Sequence, residues 1–146
     1  MTSDAPDAVG LAPTARDALL AHAREGADGT PPAEVCGVLA GERGPPDRVT
    51  RTKRVENVAD HPRTAYELDP AATVAAIDRI EERGDDVVGF YHSHPESDPV
   101  PSATDRVQAT WSGYVYAIVS PPDSIRAYRF TGEGFDELPV QVDSRE

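Results

Sequence analysis

The apolar positions of this chain come in short blocks, separated by clusters of Gly, Pro, Asp and Asn that divide it into many small elements. Three blocks read as buried strands: Glu34 to Gly41, residues 86–93 around Val87-Val88-Gly89-Phe90, and the aromatic-rich Tyr114 to Val119. Arg48 to Val58 alternates in part, with Val49, Val55 and Val58 apolar and charges between, which predicts a strand with a solvent-facing side. Ile125 to Phe130 predicts a further strand, and Phe135 to Val142 a last one at a sheet edge, where Pro139 is tolerated. Tyr66-Glu67-Leu68 is a short extended piece. Helical spacing shows twice. The first helix opens at Pro13-Thr14, with Thr14 as N-cap and Asp17 in the first turn. It carries Ala15, Ala18, Leu19 and Ala23 on its apolar face and stops at Gly26. The second opens at Asp69-Pro70, a capping carboxylate followed by proline at the first helical position. It runs from Ala71 to Arg83 with Val74, Ile77 and Ile80 on one face, and Gly84 closes it. A short helix from Ser102 to Thr110 precedes the last buried strand. The order α-β-β-α-β-α-β-β-β predicts one α/β (α+β) domain over residues 13–142, a single mixed β-sheet flanked by helices, with loose tails at 1–12 and 143–146.

Bulk properties narrow the function. A chain of 146 residues is long enough for one real core. No run approaches the roughly 20 apolar residues that span a membrane. The first residues, Met1-Thr2-Ser3-Asp4, lack the positive charge and apolar run of a secretory signal, so the expected location is the cytoplasm. The net charge is -12, which argues against nucleic acid as a partner because phosphate repels it. Lys53 is the only lysine among 14 basic residues. Excess Asp and Glu with Arg in place of Lys points to a halophilic, GC-rich source, where salt screens the repulsion. Cys36 is the only cysteine, which excludes an intramolecular disulfide and any multi-cysteine zinc site. A bound metal must be held by His and carboxylates.

One stretch offers such ligands. His92-Ser93-His94-Pro95 ends the central strand, and residues two apart on a strand project to the same face. A Pro-rich loop, Pro95 to Pro101, leads to Ser102, with Asp105 three residues on. Two imidazoles and a carboxylate are a common ligand set for one catalytic zinc, which leaves a fourth position for a water of lowered pKa. Taken alone, Ser102 and Asp105 are also a helix cap and its capping-box partner, and two strand histidines are also a solvated pair. Glu34 heads an apolar strand closely enough to be drawn into the interior and is a candidate general base. His22 on the first helix and His61 before Pro62 read as a helix histidine and a turn residue. Ser93 faces away from the ligands, and Cys36 reads as buried packing rather than a nucleophile.

Glu34, a long gap, His92-Ser93-His94-Pro95, six residues, Ser102, two residues, Asp105: this spacing resembles the signature of the JAMM (MPN+) zinc metalloproteases, in particular their small archaeal and bacterial members. Glu34-Val35-Cys36-Gly37 is similar to that family's first block, and the likeness runs from about Pro13 to Phe130. The resemblance implies the family's cytidine deaminase-like sheet fold. It implies His92, His94 and Asp105 as zinc ligands, Glu34 as the proton carrier and Ser102 as hydrogen-bond donor to the oxyanion. It further implies a desampylase-like isopeptidase, in which zinc-activated water attacks the C-terminal glycine carbonyl of a ubiquitin-like modifier joined to a target lysine. The expected partners are that modifier and its conjugates. An extended tail is expected along an exposed edge, with Arg48–Val58 and Ala65–Leu68 as candidates. The alternatives are a peptidase that trims a sulfur-carrier protein and a non-catalytic binding domain on the same fold; retention of all five motif residues favours catalysis. A deaminase needs a Pro-Cys-x-x-Cys partner that this chain lacks, and a metal store needs His- or Cys-rich tracts, also absent.

Overall fold

The computed structural model describes residues 7–143. Among these, eight strands and three helices follow in the order β1 (Val9–Leu11), α1 (Pro13–Ala27), β2 (Cys36–Glu42), β3 (Asp47–Val55), α2 (Pro70–Glu82), β4 (Asp86–Ser93), α3 (Ala103–Gln108), β5 (Val115–Ser120), β6 (Ser124–Phe130), β7 (Phe135–Leu138) and β8 (Val140–Val142). They form one mixed sheet in the order β7-β6-β5-β4-β2-β3-β1-β8. The pairs β4–β5, β1–β3 and β1–β8 are parallel, and the others are antiparallel. The expected single mixed sheet flanked by helices is therefore present.

Several local expectations change. Residues 9–11, read as part of a loose tail, form β1, which pairs with both β3 and β8. The remaining tail residues, 1–6 and 144–146, lie outside the described residues. Thr14 does not cap α1: Pro13 takes the first helical position, Ala12 is the N-cap and no side chain serves it. Gly26 does not end α1 but lies in its last turn, where a Cβ would meet the Ala33 carbonyl at 2.5 Å and Val35 Cγ1 at 2.7 Å. The stretch 135–142 is not one strand. Pro139 splits it, and its halves pair at opposite ends of the strand order. One residue separates the two edge strands, so the sheet must curl until its ends meet, and the Val9 N–H reaches the Pro139 carbonyl at 3.0 Å. On α2 two of the three expected apolar positions face the core, Ile80 buried and Ile77 partly so, but Val74 is 60% exposed and Ala76 is buried instead.

The start of α2 follows expectation. Asp69 accepts from the Ala72 N–H at 2.9 Å, a cap worth about 1 kcal/mol. Gly84 adopts φ +86°, the left-handed conformation that stops a helix at low cost. Each sheet face meets one long helix. Ala15, Leu19, Leu20 and Ala23 of α1 pack on Leu39, Val49 and Val115. Ala76 and Ile80 of α2 pack on Val38, Ala40 and Phe90. The β2–β3 register shifts at Ala40/Gly41, so Thr50 is an extra residue. That bulge explains why Val49 and Val55, an even number of residues apart, enter opposite cores.

Candidate metal centre

β4 ends at His92 and Ser93, between β2 and β5, with Cys36 opposite His92. Strand alternation sends Tyr91 to the α1 side, where its hydroxyl meets His22 Nδ1 at 2.7 Å. His22 is thus a half-buried packing histidine, lowered to about 4 chiefly by burial. Ser93 Oγ accepts from the Val35 N–H at 2.9 Å, and the Ser93 N–H donates to the Val35 carbonyl at 3.0 Å. This reciprocal clamp fixes Glu34, the residue before Val35, against the end of β4. The Glu34 N–H is held at 2.6 Å by the Pro62 carbonyl.

The imidazoles of His92 and His94 converge on Asp105, at the start of α3. Their Nε2 atoms lie 3.0 and 3.1 Å from Asp105 Oδ2, and 3.3 Å from each other. Glu34 completes the group: one ligand atom from each of Glu34, His92, His94 and Asp105 lies within 4.8 Å of every other. All four residues are buried, at 2–5% exposure. His94 Nδ1 sits 2.7 Å from the Asp98 carbonyl, which leaves Nε2 as the free lone pair in the neutral ring. Ser102 caps α3. Its Oγ accepts from the Asp105 N–H at 3.0 Å, and its own N–H donates to Asp105 Oδ2 at 2.9 Å. The helix-cap reading of Ser102 and Asp105 is therefore true, and the same box aims the Asp105 carboxylate at the histidines.

A metal ion fits these residues. Glu34 Oε1 and His92 Nδ1 are buried with no hydrogen-bond partner among the described residues, a cost of about 1–3 kcal/mol each. Two imidazole nitrogens crowd one carboxylate oxygen, and a cation at the common point would relieve that crowding. Burial pushes the Glu34 carboxyl up to about 8, opposed by His94 and reinforced by Asp105. Burial would also raise Asp105, but hydrogen bonds from His92 and His94 hold it well below the ordinary carboxylate range. His92, wholly enclosed, is lowered by burial; His94 is raised, because contact with Asp105 and the Asp98 carbonyl outweighs desolvation. Burial pushes the Cys36 thiol up to about 12, and its Sγ rests on the Val55 carbonyl at 3.5 Å, as expected of a packing residue. His61 lies in the exposed loop before Ala65 and is not part of the cluster.

Two neighbours carry no signal in the sequence. Tyr66 stacks on His92, with ring centroids 4.1 Å apart at 16°. Asn57 uses both ends of its amide: Nδ2 donates to the carbonyls of Glu34 and Ala65, and Oδ1 accepts from the N–H groups of Ala59 and Glu67. It ties the Glu34 segment to the loop that carries Tyr66. A lone Asn just past a charged strand has no periodicity to mark it, so only the tertiary contacts identify it. Arg63 of that loop makes a bidentate pair at 2.7 and 2.9 Å with Glu96, two residues after His94. Beside His92, Tyr66, Leu68, Phe90, Val107 and Trp111 contribute to an aromatic-rich cleft of about 410 Å³.

Two histidines, an aspartate and a glutamate gathered past the end of β4 form a group that could hold a metal ion, an arrangement suited to metal-dependent hydrolysis. The family described as prokaryotic homologs of the JAB domain matches residues 13–131, and the chain belongs to it. It is 61% identical over 133 residues to the desampylase of Haloferax volcanii, covering 91% of this chain and 95% of that one. It is 35% identical to the CysO-cysteine peptidase of Mycobacterium tuberculosis, over 86% of this chain and 85% of that one. The solution structure of protein DSY2949 from Desulfitobacterium hafniense superposes with a TM-score of 0.81 at 28% identity, covering 94% of each chain. The crystal structure of AF2198, a JAB1/MPN domain protein from Archaeoglobus fulgidus, shares the fold, with a TM-score of 0.61 at 19% identity over 93% of this chain and 98% of that one.

Proposed function

We propose that this protein is a zinc-dependent desampylase-type isopeptidase, which hydrolyses the amide between the C-terminal glycine of a ubiquitin-like modifier and a lysine of its target. The observation that carries the reading is the unpartnered, buried Glu34 carboxyl aimed at the point where His92, His94 and Asp105 converge. The 61% identity to a desampylase supports the substrate class; the sulfur-carrier alternative rests on a relative at 35%. His92, His94 and Asp105 would hold the zinc. Bound there, zinc supplies Lewis-acid chemistry: a water of lowered pKa and a polarised scissile carbonyl.

The chain's own groups do the rest. Glu34, charged once a cation sits beside it, takes the proton from the attacking water as the oxygen–carbon bond forms. It then delivers that proton to the lysine nitrogen as the carbon–nitrogen bond breaks. Ser102 Oγ accepts from the Asp105 N–H and keeps its own hydrogen to donate to the developing oxyanion. The cleft beside Tyr66 suits an extended apolar tail that ends at His92, and the Tyr66–Leu68 segment offers backbone for strand pairing. Of the two edges read from the sequence, this one lies at the cluster. Asp98 and the Ser102 cap orient the ligands.

The test is cleavage of a modifier–lysine conjugate in high salt, with Glu34→Ala and His92→Ala beside the native protein. Glu34→Ala should be slower by about 10²–10⁴-fold yet keep one zinc. His92→Ala should lose zinc affinity as well as activity. Native-like turnover by Glu34→Ala would remove the base from the mechanism, and a native protein that binds no zinc would remove the mechanism itself.

A further inference from the structure

Away from the metal centre, a concavity lies on the far side of β3, between the start of α1 and the end of α2. It has a volume of about 530 Å³, and Thr50 to Lys53 form its floor, with Ala18 on one wall and Ile80 on the other. β2 and β4 place it relative to the chemistry. Cys36 faces His92 at one end of that pair, while Gly41 faces Asp86 at the other. Ala40 and Asp85 line the groove, so it belongs to the far end. Four strand residues, about 13 Å at about 3.3 Å each, separate Ala40 from Cys36.

Two independent features of this groove point to a ligand. The first is charge. Arg51, Lys53, Arg79 and Arg83 all line it, and all are exposed. They are the four described cations whose side chains have no partner among the described residues. Each of the other nine is engaged: six with carboxylates, two with backbone carbonyls and one with the ring of Phe135. In a protein of net charge -12, the free positive charge has collected in one place. Glu82 and Asp85 also reach the lining, which leaves it with a net excess of two cations.

The second feature is an open strand edge. β1 covers β3 only from Asp47 to Val49, because the chain turns into α1 after Leu11. Beyond Val55 the edge closes again, where Asn57 bridges to Leu68. Between these points no strand among the described residues lies along the outer side of β3. An open edge is a template for one more strand.

We propose that this groove is a docking site for an extended, carboxylate-rich polypeptide segment, which adds along Thr50–Lys53 while its acidic side chains meet Arg51, Lys53, Arg79 and Arg83. Point-like anions would use the charge but leave the strand edge idle; an extended acidic chain uses both. Docking here lies away from the reacting bond, so it adds affinity for a protein bearing such a segment and leaves the chemistry alone. The inference goes beyond the isopeptidase reading and needs no turnover for its test.

The probe is a short fluorescein-labelled peptide alternating Glu and Val, titrated by anisotropy with the metal-free full chain at the lowest KCl that keeps it folded. The native protein binds it, and affinity falls as KCl rises. The double charge reversal Arg51→Glu/Arg83→Glu weakens binding by about tenfold or more while the melting temperature holds. A Gln–Val peptide and a backbone N-methylated Glu–Val peptide both bind more weakly, the first for want of charge and the second for want of strand pairing. No binding by the native protein, or equal binding by the reversed variant, overturns the proposal. Displacement of the probe by submillimolar inorganic phosphate would reassign the groove to a small anion. Self-association abolished by the same reversal would reassign it to a second copy of this chain.

Discussion

Glu34 is a carboxyl whose environment opposes its charge. Its ordinary pKa of 4.5 rises to about 8 through burial. In the metal-free protein, the folded state then holds a proton that the unfolded chain has released over that window. Stability contributed by this group therefore falls as pH rises from 4.5 to 8. Urea midpoints of metal-free protein at about pH 5 and about pH 8 check this: the native protein should lose stability across the interval relative to Glu34→Gln, which cannot titrate. Parallel profiles for the two proteins would show that Glu34 is not held in the protonated form. Asp105 works in the opposite sense, since its pKa is lowered and its contribution is lost only in acid. At this scale the sequence was informative. The spacing of His92, His94, Ser102 and Asp105 lies within one local stretch, and extended backbone followed by a capped helix determines where those side chains point.

Elements decide how the local stretch meets the rest. Glu34 reaches the site because β2 and β4 pair in a register that sets Cys36 against His92, and because Ser93 clamps Val35. Asn57 is the corresponding fastener on the other side, between the Glu34 segment and the loop bearing Tyr66. It is a positioning residue, and its two ends can be separated. Asn57→Asp keeps the acceptor for the Ala59 and Glu67 N–H groups but loses the donors to the Glu34 and Ala65 carbonyls. The expected outcome is a kcat about tenfold lower, with KM, bound metal and amide-exchange protection at Ala59 and Glu67 close to native. Unchanged kcat would confine Asn57 to holding the loop. Helix α2 was readable from Asp69-Pro70 and Gly84 because capping is chemistry between near neighbours. Its buried face was readable in part: Ile77 and Ile80 face the core as their spacing predicts, while the partner surface selects Ala76 over Val74.

For the molecule as a whole, charge is the dominant global property. At net charge -12 the folded chain repels itself, and the Debye length shortens from about 10 Å at 0.1 M salt to about 3 Å at 1 M. The melting temperature should rise with KCl from low to multimolar concentration, as a halophilic origin, expected from the acidic and lysine-poor composition, would require. A melting temperature independent of salt would count against that origin. The sequence by itself marked the residues that gather at the site, Glu34's candidacy as base, the start of α2 and most strands, because each is encoded by periodicity or by side chains a few residues apart. Only the tertiary structure decided that residues 9–11 form a strand, that Pro139 sends the two halves of 135–142 to opposite ends of a curled sheet, and that Thr50 is the bulge which turns Val49 and Val55 into different cores. It alone gathered Arg51, Lys53, Arg79 and Arg83 into one groove and set Asn57 between two carbonyls. The physical reason is common to these cases. Strand register and sheet closure are settled by contacts between residues far apart in the chain, and no local pattern carries that information.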